Sequence, residues 1–237
     1  MAYRFEKKYT VRYSEVTTNA SSSLGALISY FQDTTMAHSD SLGQGINNLR
    51  EDNLAWLLAS WHIKINRYPR YNETIRAYTW ATKFAGVYGY RDFKIIDEND
   101  EVLAVASSTW FLYDSFNQKL CRVTPEIAQG YNPEPDFIFG TASEPRLHTP
   151  KEYEDVYECV AGKRDLDTNN HVNNVHYIDY ALEALPEGFA ASELRVSYKN
   201  AAVLGDRICV GINKEDDVYT CVIHNGEGNV YAIVELR

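Results

Sequence analysis

Three segments from the first half of this chain recur in the same order in the second half, so the fold must accommodate two similar units. Aligned without gaps at an offset of 151, Arg12-Tyr13-Ser14 through Phe31-Gln32 falls on Lys163-Arg164-Asp165 through Leu182-Glu183. At an offset of 133, Asn72 through Ile75 falls on Gly205 through Ile208. At 128, Asp97 through Ala106 falls on Asn225 through Val234, with Val102 on Val230 and Ala104 on Ala232. The offsets shrink steadily, as shorter loops in a second copy would require.

Each copy predicts the same run of elements. In the first, Tyr3, Phe5, Tyr9, Val11 and Tyr13 alternate with Arg4, Glu6, Lys8, Thr10 and Arg12, the pattern of a half-buried strand. A helix follows, with Leu24, Leu27, Ile28 and Phe31 on one face and Ser21-Ser22-Ser23 as candidate caps. In the second copy Val175, Ile178, Leu182 and Leu185 give a similar stripe, with Asn173 or Asn174 as cap and Pro186 as stop. Strands come next, among them Leu194-Val196-Tyr198 and Ile208-Val210-Ile212, and polar turns at 97–100 and 225–228 join hairpins. One helix against an antiparallel sheet, twice, is an α+β arrangement.

Five of the seven prolines lie between Pro125 and Pro150 in a stretch without periodicity, which reads as an extended linker. The expected organisation is a first unit over 1–128, a linker over 129–154 and a second unit over 155–237. With 45% hydrophobic residues among 237, both units can bury a core. A formal net charge of −10 argues against nucleic acid as the main partner, because phosphate contacts need a basic surface. Cys121, Cys159, Cys209 and Cys221 show no CxxC and no Cys/His spacing, which favours neither a zinc site nor a disulfide scaffold and fits a reducing compartment. Residues 1–8 contain no apolar core of a secretory signal, and the longest apolar stretch, near Leu54–Ala59, is too short to span a bilayer. A cytoplasmic protein without membrane insertion is expected.

The chemistry concentrates in Asp165-Leu166-Asp167-Thr168-Asn169-Asn170-His171-Val172-Asn173-Asn174, between the leading strand and the helix of the second copy. If the segment is extended, Asp167, Asn169 and His171 project to one face. They would then stand beside a helix start, where unpaired N–H groups and a partial positive charge favour an oxyanion. A plain turn rich in Asp and Asn is the competing reading. A calcium loop fails, since its sixth position is Asn170 rather than Gly and its twelfth is His176 rather than Glu.

The motif Asp-Leu-Asp-x-Asn-x-His-Val-Asn-Asn, followed by Tyr177-Ile178, resembles that of the acyl-acyl-carrier-protein thioesterases of chloroplasts and bacteria. The resemblance extends over essentially the whole chain. It includes Gln32, the Trp56 stretch, Arg67-Tyr68-Pro69-Arg70, Thr79-Trp80, Arg91-Asp92-Phe93, Ser108-x-Trp110, Tyr198-Lys199 and Gly205-Asp206. It implies two tandem hotdog folds, each a long helix wrapped by an antiparallel sheet. It also implies hydrolysis of the thioester that joins a fatty acyl chain to the phosphopantetheine arm of acyl carrier protein, with no metal or organic cofactor. On the 151 offset the first copy holds Val16, Thr18 and Ala20 against Asp167, Asn169 and His171, so it would be non-catalytic and would shape the acyl pocket. Leu27 and Phe31 are candidate acyl contacts, with a structural core stripe as the alternative. Asn173 and Asn174 are candidate substrate contacts at the helix start.

The chain departs from the family at one place. Where members often carry Glu-Cys shortly after this Tyr-Lys pair, the sequence reads Ala201-Ala202. The expectation is therefore direct attack by water, with Asp167 as general base or water orienter, His171 bonded to water or thioester oxygen, and Asn169 polarising the substrate. Backbone N–H groups near Val172 and Asn173 would hold the oxyanion. An acidic carrier protein would dock on a local basic patch drawn from Lys163, Arg164, Lys199, Arg67 and Arg70. An acyl-CoA thioesterase, a hotdog hydratase and a non-catalytic acyl-binding protein remain alternatives, and a homodimer is left open.

Overall fold

The computed structural model describes residues 4–143 and 145–237, so Tyr3 of the expected first strand lies outside the described residues. The chain divides into two compact units, one of residues 1–59 and 63–144, the other of 60–62 and 145–237. In the first unit, β1 (Phe5–Thr10) precedes α1 (Leu24–Ser41), α2 (Ile46–Glu51), β2 (Leu54–Ile65), β3 (Thr74–Ala85), β4 (Tyr88–Ile96), β5 (Val102–Asp114), β6 (Lys119–Leu120) and α3 (Pro125–Gly130). Its main strands lie in the order β1-β3-β4-β5-β2. The second unit contains β7 (Glu154–Val160), α4 (Asn174–Glu183), β8 (Glu193–Tyr198), β9 (Arg207–Glu215), β10 (Val218–His224) and β11 (Val230–Leu236). Its strand order is β8-β11-β10-β9-β7. All strand pairs with a defined register are antiparallel. No described helix is long and apolar enough to cross a membrane.

The helices form where the caps and stripes place them. Ser23 Oγ accepts from Ala26 N–H at 3.0 Å to start α1, and Leu24, Leu27, Ile28 and Phe31 are buried on it. Asn173 Oδ1 accepts from Val175 N–H at 3.1 Å to start α4, which buries Val175 and Ile178. Each such apolar side chain taken out of water contributes on the order of 1.5–3 kcal/mol. The first strand is shorter than its alternation: it ends at Thr10, and Tyr13 opens a single 3-10 turn with its ring in solvent.

The repeat extends to individual hydrogen bonds. Val11 N–H to Glu73 O is matched by Ala161 N–H to Asp206 O, and Ser22 N–H to Pro69 O by Val172 N–H to Ala202 O. Asn66 and Arg67 N–H both reach Leu103 O, as Lys199 and Asn200 N–H both reach Tyr231 O. These bonds keep the offsets of 133 and 128 and change the first to 150, with Thr17 N–H to Ser21 O matched by Asp167 N–H to His171 O. Weak side-chain likeness (Arg12 on Lys163) favours the slip by one, whereas backbone pairing fixes the register. Thr17, Asn19 and Ser21, not Val16, Thr18 and Ala20, stand where the second copy has Asp167, Asn169 and His171.

The proline-rich stretch starts as a helix, with Pro125 at its first position and Thr124 as cap, because proline's missing N–H costs nothing there. Beyond it the chain has no strand or helix until β7 among the described residues, yet it is pinned in place. Trp80 Nε1 donates to Asp136 O at 3.0 Å, and Ile138 N–H donates to Asp92 Oδ2 at 2.7 Å. Asp92 is fully buried, its Oδ1 has no hydrogen-bond partner, and burial pushes its pKa up to about 7. A carboxyl raised in the folded state binds more protons there than in the unfolded chain. Its contribution to stability is therefore complete below about pH 4 and falls as pH rises toward 7, by a few kcal/mol in all. Asp92→Asn should remove this slope, seen as a smaller difference in thermal midpoint between pH 5 and pH 8 than in the parent; equal differences would contradict the assignment.

Candidate active site

The segment expected to carry the chemistry is a tight turn, not the extended run its spacing predicts. After β7 a 3-10 turn over Lys163–Asp165 sets the direction, with Asp165 Oδ2 accepting from Gly162 N–H at 2.7 Å. Leu166 and Val172 then pair across the turn, closed by Asp167 N–H to His171 O at 2.7 Å and Asn170 N–H to Asp167 O at 3.2 Å. Asn170 sits at φ +61°, the left-handed region that Asn tolerates better than most residues. The carboxylate holds this geometry from inside: Asp167 Oδ1 accepts from Asn169 N–H at 2.7 Å and from His171 N–H at 3.1 Å. Local Asp-to-backbone bonding has therefore overridden strand alternation.

The turn nevertheless gathers the expected groups. Asn169 Nδ2 lies 3.4 Å from Asp167 Oδ2, Asp167 is half-buried, and Asn169 and His171 are exposed beside the start of α4. The donors at that helix start differ from the expected ones. Val172 N–H is already bonded to Ala202 O and Asn173 N–H to Asp165 O, each at 2.8 Å. Val175 N–H goes to Asn173 Oδ1 and His176 N–H to Asn173 O. Among the described residues, Asn174 N–H is left without an acceptor, pointing out of the positive end of α4. Asn173 thus serves as the cap, and Asn174 supplies the free amide. The first unit folds the same turn with different chemistry: Asn19 Oδ1 accepts from Ser21 N–H at 2.9 Å and from Thr17 Oγ1 at 2.8 Å, with no carboxylate or imidazole.

Three tyrosines around this turn have hydroxyl partners that the sequence reading does not give: Tyr177 and Tyr198 stand in it only as landmarks of the resemblance and, for Tyr198, of a strand, and Tyr231 not at all. Tyr177 Oη accepts from Ala202 N–H at 2.8 Å, Tyr198 Oη donates to Asn174 O at 2.9 Å, and Tyr231 Oη donates to Asp206 Oδ2 at 3.1 Å. Their spacing in sequence carries no signal, because the pairing of β8 with β11 and the packing of α4 on that sheet bring them together. Ala202, where the sequence departs from the pattern the resemblance implies, is fully buried and offers only a clamped peptide group.

The other expected residues sort as follows. Leu27 and Phe31 are fully buried, with the Phe31 ring 5.2 Å from that of Phe93. Neither borders the 520 Å³ cavity of the first unit, which Lys7, Tyr9, Arg12, Tyr13 and Tyr71 help to line. Arg67 is committed to Glu73 through two bonds of 2.9 and 2.7 Å, which hold Glu73 below the usual carboxylate range. Lys199 donates to Leu147 O at 3.0 Å, and burial lowers its pKa. Arg70, Lys163 and Arg164 remain exposed.

One cluster resembles a metal site. Ligand atoms of Asp155, Cys209 and His224 lie within 4.8 Å of one another. Both imidazole nitrogens are already used: Nδ1 accepts from Gly226 N–H at 3.0 Å, which keeps the proton on Nε2, 2.9 Å from Asp155 Oδ1. Such a ring offers neither a lone pair to a metal nor a base to the Cys209 thiol, and burial pushes that thiol's pKa up. The buried His224 thus links the exposed Asp155 to the Gly226 amide, with the buried Cys209 beside it.

Comparison with known proteins adds the following. The profile of the acyl-ACP thioesterase N-terminal domain matches residues 2–131, and that of the acyl-ACP thioesterase C-terminal domain matches residues 151–235. The chain is 28% identical over 202 residues to oleoyl-acyl carrier protein thioesterase 2, chloroplastic, of Arabidopsis thaliana, which covers 78% of this chain and 55% of the relative. It spans about half the length of the curated relatives it matches. Among solved structures, an acyl-ACP thioesterase from Bacteroides thetaiotaomicron superposes with a TM-score of 0.84 at 20% identity, covering 98% of this chain and 96% of that one. The 12:0-ACP thioesterase from Umbellularia californica gives 0.82 at 19%, covering 99% and 96%. At these identities the likeness establishes the fold, two hotdog units in tandem.

Proposed function

The chain belongs to the acyl-ACP thioesterase family, and from that premise we propose that it hydrolyses fatty acyl-acyl carrier protein to free fatty acid and carrier protein. The observation that carries the reading is the pairing of the Asp167-Asn169-His171 turn with the free Asn174 amide at the start of α4. The first copy keeps the turn without the acid and the imidazole, so these groups are additions to the fold and not requirements of it.

In this reading water adds to the thioester carbonyl carbon and passes a proton to His171. Two backbone N–H bonds occupy Oδ1 of Asp167, so its role is to orient water through Oδ2. The carbonyl electrons move onto oxygen, where Asn174 N–H and the helix dipole stabilise them, while the Asn169 amide polarises the same group. Collapse of the intermediate breaks the C–S bond, and the proton from His171 leaves with the phosphopantetheine thiol. Ala201-Ala202 is then tolerated because no step calls for a second carboxylate or a thiol. Leu27 and Phe31 are retained as proposed acyl contacts of the first unit, supported by their apolar, fully buried stripe. Lys163 and Arg164, exposed next to the turn, are the proposed contacts for the acidic carrier. A cytoplasmic, reducing setting belongs to the same proposal, supported by the four free cysteines; the curated relative compared above is chloroplastic.

The deciding experiment is thiol release from a chain-length series of acyl-carrier proteins and matched acyl-CoAs. Release from the carrier series supports the reading, and release from CoA alone moves the substrate but keeps the site. Silence from both would make the protein an acyl binder. Asp167→Asn and His171→Ala should each lower kcat by roughly 100-fold or more with the fold intact, since Thr17 and Ser21 support the same turn. Asn174→Pro is a sharper test. The first helical position accepts proline, and Asn173 already has the extended backbone (φ −61°, ψ 140°) that a following proline requires. The amide donor is lost together with the side chain, whose share Asn174→Ala measures, and kcat should fall about 100- to 1000-fold below that of Asn174→Ala; equal kcat in the two variants would remove the Asn174 amide from the oxyanion site. Reversing the charges of Lys163 and Arg164 should raise KM for the carrier substrate and flatten its salt dependence while kcat holds.

A further inference from the structure

The three tyrosine hydroxyls beneath the turn have an internal control in the repeat. On the offsets fixed by backbone hydrogen bonds, Tyr177, Tyr198 and Tyr231 correspond to Leu27, Ile65 and Leu103, all three buried and none bearing a polar atom. Ala202, whose N–H is bonded to Tyr177, corresponds to Pro69, which has no N–H. The first unit therefore closes the same turn and the same loop with backbone bonds and the side chains of Asn19 and Glu73, without a hydroxyl at any of the three positions, and the fold does not need the hydroxyls.

Their arrangement ties together the parts that bear the candidate chemistry. The Ala202 peptide is held from both sides, its N–H by Tyr177 Oη and its C=O by Val172 N–H, both at 2.8 Å. Val203, the next residue, pairs with His171, and its N–H shares Asp206 Oδ2 with Tyr231 Oη. Tyr198 Oη holds Asn174 by its carbonyl oxygen. The Tyr177 ring packs against those of Tyr198 and Tyr231, with centroids 5.9 and 6.4 Å away. Burial raises the pKa of Tyr177 and Tyr231 to about 12 and that of Tyr198 well above the ordinary range, so all three stay protonated.

We propose that Tyr177, supported by Tyr198 and Tyr231, is a positioning residue whose hydroxyl, through the Ala202 peptide, fixes the His171 turn against the free amide of α4. The inference rests on the thioesterase reading of that turn. A small displacement of a catalytic constellation is costly to rate while leaving ground-state binding almost unchanged. Tyr177→Phe should therefore lower kcat by about 10-fold or more, with KM within about twofold and circular dichroism unchanged. Tyr198→Phe and Tyr231→Phe should act in the same direction. Tyr30→Phe, which removes a buried first-unit hydroxyl bonded to Glu15 at 2.7 Å, should leave kcat as it is. A second readout is independent of turnover: the NMR resonances of the His171 ring should move in Tyr177→Phe and stay in Tyr30→Phe. An unchanged kcat in Tyr177→Phe, a pure rise in KM, or unmoved His171 resonances would overturn the proposal. If Tyr177→Phe does not fold, unchanged kcat in both Tyr198→Phe and Tyr231→Phe does the same. A parent protein that releases no thiol refutes the thioesterase reading instead. The His171 resonances then decide positioning alone, a shift supporting it and its absence ending it.

Discussion

In each unit a buried backbone hydrogen bond ties the turn before the helix to the loop after the next strand: Ser22 N–H to Pro69 O at 2.7 Å in the first and Val172 N–H to Ala202 O at 2.8 Å in the second. A buried amide that loses its partner costs the full desolvation of the group, so this contact is hard to give up. Once it is made, the helix start, the preceding turn and the loop after the next strand are fixed relative to one another. The side chains of the turn are then free to vary, and they do: Thr17-Asn19-Ser21 in one copy, Asp167-Asn169-His171 in the other. Chemistry can be placed on such a turn or removed from it without refolding the unit.

Much of the fold was legible because it rests on periodicity and on caps. The stripe of Leu24, Leu27, Ile28 and Phe31, the Asn173 cap and the antiparallel hairpins at 97–100 and 225–228 all follow from side-chain chemistry within a few residues. The repeat was legible too, at two of its three offsets. The third slipped by one because side-chain likeness between the copies is faint, whereas hydrogen-bond register tolerates no slip. The same locality explains the shortened first strand, where a 3-10 turn takes over at Tyr13.

The candidate site was legible as a list of residues but not as a geometry. Asp167, Asn169 and His171 stand at the helix start as their order implied, yet they are presented by an Asx turn in place of a strand. The donor amide fell on Asn174 and not on Val172 or Asn173, because it depends on which carbonyls approach from Asp165 and Ala202. Arg67 looked available for docking until its pairing with Glu73, six residues away, was seen. The cluster of Asp155, Cys209 and His224 unites residues from three strands and leaves no motif. In each case the deciding partner lies across a strand or a loop, which sequence spacing does not encode.

The two copies also differ in how they fill equivalent interior positions, and that difference parallels the division of labour proposed for them. Leu27, Ile65 and Leu103 give the first unit an apolar interior beneath its turn, while Tyr177, Tyr198 and Tyr231 give the second a polar one. A buried hydroxyl is costly when unpaired and close to neutral when bonded, so the second unit loses little stability by carrying three that are all engaged. In return it gains directionality, since a hydrogen bond fixes the angle and distance that an aliphatic contact leaves loose. A unit proposed to offer only apolar contacts has no use for that precision. One proposed to hold an imidazole and a free amide at fixed separation does, and the three tyrosines are found in the copy that has both.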